Sequence, residues 1–324
     1  MNIDVSYYSV SGLKNRRCAF LANRFDAEYG YKPGDAESWI VVNDYTPEAQ
    51  GETRFTNGTL AWYTGLWSSP QGTAYITRHD GWVIFNPDIF AKNAFSRWQN
   101  HELKDFNAWG VHGAGEEVFV WGSDTSEDAD AALAPSTVLR QENGDWLPIA
   151  SPGFRIVAMH GTDGTNLWAA GAGGEIASWD GNSWVRHASI GYALHSIHVG
   201  EKNVYATSAR GEILRVSPSG CELEGVLPGA SMPGDAACVA VWNDDLWVGS
   251  ARLGLFRKTG AGFTCVKPNI TCTSIDARDE LVLCAPNRIS GSANGTDFMS
   301  FGVDVVRNGR SSHGLCRDLE GNQQ

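Results

Sequence analysis

Apolar residues in this chain come in short runs, each stopped by glycine, asparagine or aspartate. The pattern is cleanest in residues 154–187, where the runs 156–159, 167–170 and 176–179, and then Trp184 and Val185, are separated by GTDGTN, GAGG and DGN. Runs of about four residues between such spacers predict strands joined by tight turns, because Gly, Asn and Asp reach positive φ at little cost. Four strands in roughly 35 residues make one antiparallel meander, and a sheet that small cannot cover its own apolar faces, so further copies are expected.

The second-strand pair Leu167-Trp168 recurs as Ala74-Tyr75, Val118-Phe119, Val204-Tyr205, Leu246-Trp247 and Leu281-Val282, at intervals of roughly 35–50 residues, which suits a propeller blade. The third strand follows in the same phase, as Gly81-WVIF, Thr137-VLR, Gly174-EIASW, Gly211-EILRV and Gly254-LFRK. A fourth-strand aromatic then stands at Trp98, Trp146, Trp184 and Phe263, and two of the turns before it read ENGDW and DGNSW, with the Asn-Gly and Asp-Gly pairs that hairpins favour. In residues 1–56, Cys18-AFLAN, Ser38-WIVVN and Glu52-TRFT supply second, third and fourth strands and raise the count from six to seven.

The expected fold is all-β: a β-propeller of four-stranded antiparallel blades, seven-bladed, with a six-bladed ring and N-terminal decoration as the alternative. It forms one domain over 1–324, with blades near 1–56, 57–100, 101–150, 151–190, 191–230, 231–270 and 271–310. PDIFAKNAF in the second blade has room for one helical turn, and FGVDVV at 301–306 is either the last outer strand or a strand that pairs across the ring closure. The tail 311–324 lacks an apolar pattern and is expected to be ordered only in part.

Val157 to Trp184, and also Trp109-GVHGAGEEVFVWG, resemble the short repeats V-x-G-x-x-x-x-x-V/L-W-A-x-G-x-G-G-x-I-x-x-W-D-G-x-x-W of many bacterial β-propellers. They are related to the Asp-box family, although Ser178-WDGNSW differs from its spacing. They lack the Gly-His and Trp-Asp pair of true WD-repeats, since Trp179-Asp180 falls in a third-strand turn. The resemblance implies an architecture and leaves the function open, because propellers serve as enzymes, lectins and scaffolds alike.

Composition narrows the partners. The 324 residues carry a net charge of −12, which argues against nucleic acid, whose phosphates need a basic footprint, and favours a basic protein partner. No apolar run reaches the roughly 18 residues of a membrane helix. The start MNIDVSYYSVSG has neither a basic n-region nor an apolar h-region, so a cytoplasmic location is expected. Seven cysteines with no Cys-x-x-Cys read first as buried, reduced thiols, with a disulfide framework or a metal site as alternatives.

Candidate chemistry is sparse. There is no phosphate loop, no Gly-x-Ser-x-Gly and no His-Glu-x-x-His. A glycosidase needs two carboxylates flanking a sugar, but Asp44, Asp80, Asp88, Asp163, Asp180 and Asp276 each lie in turns, where Asp serves the backbone. Most of the tryptophans fall on strand positions in phase with the repeat, where core packing outweighs sugar stacking. Aligning the first-strand ends puts His112, His160, His198, Trp242 and Asp276 in one register, a rim whose side chains are expected to pack or hydrogen-bond rather than converge on a metal. The most acidic stretch, SDTSEDADAALAP, holds Asp124, Glu127, Asp128 and Asp130. The expectation is a non-catalytic, protein-binding propeller without cofactor or metal, an acidic inhibitor or immunity protein that neutralises a basic partner such as a toxin. Its contact residues are Asp124, Glu127, Asp128 and Asp130, then His112, His160, His198 and Trp242. A carbohydrate-binding lectin or glycoside-processing propeller is the alternative.

Overall fold

The computed structural model describes residues 2–3, 5–13, 17–24, 37–44, 52–124, 134–260, 262–308 and 311–318. Among the described residues six blades are four-stranded antiparallel meanders in sequence order, and in the seventh the same meander is part of a six-stranded sheet. First strands are Val5–Leu13, Tyr63–Ser68, Phe106–Ala114, Ile156–Asp163, Leu194–Val199, Cys238–Trp242 and Ser274–Ala277. The first blade continues through Arg17–Arg24, Ser38–Asp44 and Glu52–Thr59, as its apolar runs predict. Among the described residues the helical content is one 3-10 turn, Ala94–Arg97, which begins at the end of the segment expected to hold it and runs two residues past it.

The third-strand marker has a backbone cause. Gly81, Gly174, Gly211 and Gly254 open that strand at φ 84, 90, 78 and 106, a region costly for any residue with a Cβ. At Gly174 and at Gly254 a Cβ would also lie 2.5 Å from a main-chain oxygen, that of Tyr192 and of Lys267 respectively.

The chain divides into two compact units. One, Met1–His79 with Ile84–His101 and Thr273–Gln324, holds the first and seventh blades and most of the second. There Met299–Asn308 is the outer strand of the seventh blade, and both readings of FGVDVV hold. Residues 299–301 pair with Arg288–Ser292, and Val305 and Val306 pair with Ile3 and Asn2 at the start of the chain. Ser311–Asp318 in the expected tail pairs along 301–308, so Asn2–Ile3 takes the edge that Arg288–Ser292 leaves free. The other unit, Asp80–Val83 with Glu102–Cys272, holds the third to sixth blades. Its core is built between sheets: Phe119 and Trp121 pack with Ile156, Leu167 and Trp179, and Trp168 and Ile176 pack with Leu194, Ile197 and Leu214.

A first strand pairs within its own blade on one edge only, so the N–H groups of its other edge need acceptors wherever they are buried. The preceding blade supplies them from side chains. Asp276 Oδ2 accepts from Gly12 N–H at 2.7 Å, and Ser11 Oγ from Ser68 N–H at 3.1 Å. In the other unit His112 Nε2 accepts from Gly161 N–H at 3.0 Å, and His160 Nδ1 from Val199 N–H at 3.1 Å. A second level lies two residues earlier, where Ser274 Oγ accepts from Val10 N–H and Ser196 Oγ from Val239 N–H.

The connection between the fifth and sixth blades is pinned by the buried Asp235. Its Oδ2 accepts from Ser231 and Met232 N–H, and Arg252 donates to both of its oxygens. Burial pushes this carboxyl up, but the Arg252 hydrogen bonds and the two backbone N–H groups outweigh it and hold it below the usual carboxylate range.

Two stability measurements follow. His160→Ala leaves the buried Val199 N–H without its acceptor and is expected to cost about 1–3 kcal/mol in urea unfolding, with His160→Gln recovering part of it. Asp235→Ala is expected to cost about 1–3 kcal/mol at neutral pH. Because the folded carboxyl titrates below its unfolded value near pH 4, that contribution is complete above pH 4 and fades as pH falls through the lower folded value. The gap between wild type and variant should therefore close on acidification and stay constant from pH 5 to 8.

Candidate interaction surface

The expected contact residues divide between opposite ends of the strands. In the third blade His112 stands opposite Phe119, whereas Asp124 stands opposite Phe106. Five residues of strand separate the two levels, about 17 Å. His112, His160 and His198 lie beside the turns joining first to second strands, and Asp124 is exposed at the other end, where the second strand runs out. Glu127, Asp128 and Asp130 lie outside the described residues. Of the acidic set drawn from the sequence, Asp124 thus stands at the opposite strand end from the histidine set.

The three histidines do meet. His112 and His160 rings are 4.8 Å apart between centroids, His160 and His198 rings 4.2 Å, with interplanar angles near 40°. The rings are tilted against one another. His198 is buried and the other two are half-buried. Accepting from Val199 N–H at Nδ1, neutral His160 carries its proton on Nε2. Among the described residues no three His, Cys, Asp or Glu side chains converge as metal ligands.

Trp242 does not belong to this row. His112, His160 and His198 stand opposite Phe119, Trp168 and Tyr205, and the residue opposite Trp247 is Ala240. Trp242 stands opposite Asp245, two residues further on, and its buried ring packs 6.1 Å from that of Trp247. Asp276 keeps the register, opposite Val282.

The end of the third to sixth blades that carries the histidines also carries exposed carboxylates that the sequence reading passed over as a group. They are Glu116, Asp145, Asp163, Asp180, Glu201 and Asp244, all in or beside turns joining first to second or third to fourth strands. Lys202 is the one basic residue in those turns. Further in, Glu117 and Glu142 pair with Arg140, and Asp245 with Arg257 at 3.5 Å. The turns explain two of the six. Asp163 accepts from the Thr165 hydroxyl and N–H, and Asp180 from the Ser183 and Asn182 N–H groups. Those same bonds hold both carboxyls below the usual range, so both stay ionised.

No disulfide joins the described cysteines Cys18, Cys221, Cys238, Cys265, Cys272 and Cys284. Burial, followed by the nearby Glu280 charge, pushes Cys18 up to about 12. No helix among the described residues is long and apolar enough to cross a membrane.

No family model and no curated protein matches the chain. Solved structures do. The WD40 β-propeller domain of Doa1 is similar with a TM-score of 0.62 at 11% identity, over 88% of this chain and 91% of that one. Chaetomium thermophilum Sqt1 bound to the N-terminus of the ribosomal protein L10 is similar with a TM-score of 0.59 at 13% identity, over 93% and 92%. YCF48 bound to D1 peptide gives 0.52 at 12% identity, over 70% and 77%. At these identities the likeness is one of fold: the chain is an all-β, seven-bladed propeller of four-stranded antiparallel blades, with the architecture of WD40 propellers.

Proposed function

We propose that this chain is a non-catalytic, protein-binding propeller of the cytoplasm that captures and neutralises a basic protein, as an immunity protein does a toxin. The observation that carries the reading is the acidic set of turns at one end of the third to sixth blades. Glu116, Asp145, Asp163, Asp180, Glu201 and Asp244 stand exposed in or beside them, with Lys202 the one basic residue in those turns. Fields of this kind steer a positive partner and discriminate against acidic ones. The propellers of similar fold include one bound to the N-terminus of a ribosomal protein and one bound to a peptide, which supports a protein or peptide occupant. In this reading the histidine row holds the face in shape and makes at most peripheral contact, while Asp124 belongs to the other end of the strands and acts separately.

The test compares the wild type with a variant in which Glu116, Asp145, Glu201 and Asp244 are changed to Lys, after circular dichroism and thermal unfolding establish that both fold. Wild type immobilised at low salt should retain a basic protein from a lysate of its own cells. That capture should weaken at least tenfold in the variant and fall steeply between about 0.05 and 0.5 M salt, as screening of exposed charges demands. Added in equimolar amount, the wild type should abolish the captured protein's own activity. Retention unchanged by the charge reversals would remove this face from the mechanism, and glycan binding with no protein retained would replace the reading with a lectin.

A further inference from the structure

Cys238 opens the first strand of the sixth blade, and Cys272 lies in the connection that leaves that blade after its outer strand, Gly262–Lys267. Their sulfurs are 3.4 Å apart, and both side chains are buried, at 4% and 0% exposure. Each segment is tied to the same second strand, Asp245–Ser250: Ala237 N–H donates to Gly249 O at 2.9 Å, and Cys272 N–H to Ser250 O at 2.8 Å. Gly249 stands opposite Cys238. A Cβ at Gly249 would lie 2.6 Å from each sulfur, so the glycine keeps clear the space that the two thiols share.

A disulfide needs its sulfurs at about 2.05 Å. The remaining approach is within reach of side-chain rotation, and the backbone on both sides is already held. We propose that Cys238 and Cys272 are a redox pair that closes to a disulfide under a hydroperoxide, stapling the entry of the sixth blade to its exit. In the first step one thiol sulfur attacks the peroxide O–O bond, giving a sulfenic acid and releasing water or an alcohol. In the second the other sulfur attacks the sulfenic sulfur, the S–S bond forms and a water leaves. The two cysteines together lose two electrons and two protons, and the peroxide is reduced. The staple joins residues 34 apart in sequence, and so restricts the unfolded chain more than the folded one, which already holds the sulfurs together.

The exposed Cys265 serves as the internal standard. Reduced protein is treated with hydrogen peroxide at a level that oxidises Cys265, then alkylated in denaturant and mapped by mass spectrometry without reduction. A peptide linking Cys238 to Cys272, with an apparent melting temperature that rises on oxidation and returns with dithiothreitol, is the expected result. Cys238→Ser and Cys272→Ser should each lose both the link and the shift, and Cys265→Ser should keep both. Persistence of both thiols once Cys265 has reacted, or a link that joins either of them to a different cysteine, overturns the proposal. Because the peptide map is read on the wild type, it decides the question even where a serine variant fails to fold.

Discussion

The first strand of each blade has a neighbour on one side only, and the structure is organised around what happens on the other. A buried N–H without an acceptor costs about 1–3 kcal/mol, and several repeats of that cost would consume much of the stability of an ordinary domain. Asp276, Ser11, His112 and His160 solve the same problem with different side chains, each accepting the N–H of a first-strand residue in the following blade. What repeats is therefore a geometric role, an acceptor of the right reach, and not a residue type. Residues that look catalytic in the sequence are largely committed to the main chain.

That explains which parts of the molecule could be read before the structure. Strands and turns were legible because their signals are local: four apolar residues between glycine-rich spacers, and a glycine where φ is positive, as at Gly174 and Gly254. The histidine register was legible for the same reason, since strand periodicity carries His112, His160 and His198 to equivalent places. Trp242 was misplaced because its place in the row assumed a shorter turn. The Asn243–Asp244 turn is as long as the Gly115–Glu116 turn of the third blade, so Ala240, opposite Trp247 as His112 is opposite Phe119, takes the histidine level instead. The division of contact residues between faces was hidden for another reason. Composition reports how much charge there is, whereas the end of a strand on which a charge falls depends on the pairing of Phe106 with Asp124 and of His112 with Phe119.

The turn carboxylates show how one residue type answers two demands. Asp163 and Asp180 close their hairpins by accepting backbone and hydroxyl hydrogens, and the same bonds leave them ionised at the surface. A chain that builds its first-to-second and third-to-fourth turns with such residues charges one end as a by-product of turn chemistry. Here the exposed Glu116, Glu201 and Asp244 add to the charge of that end.

Turn chemistry also bears on the glycoside-processing alternative. Asp163 and Asp180 belong to adjacent turns of one blade, with the Gly181 Cβ position 3.0 Å from the Thr165 methyl group, and would be the natural candidates for a pair of acid and base. Such a pair needs one carboxyl kept protonated near neutral pH by burial or a like charge. Both are exposed and both are held below the usual range by hydrogen bonds to the ionised form. Two anions side by side cannot supply the proton that a leaving sugar requires, but they can meet a cation. The local physics of these turns thus favours recognition of positive charge over cleavage of a glycosidic bond.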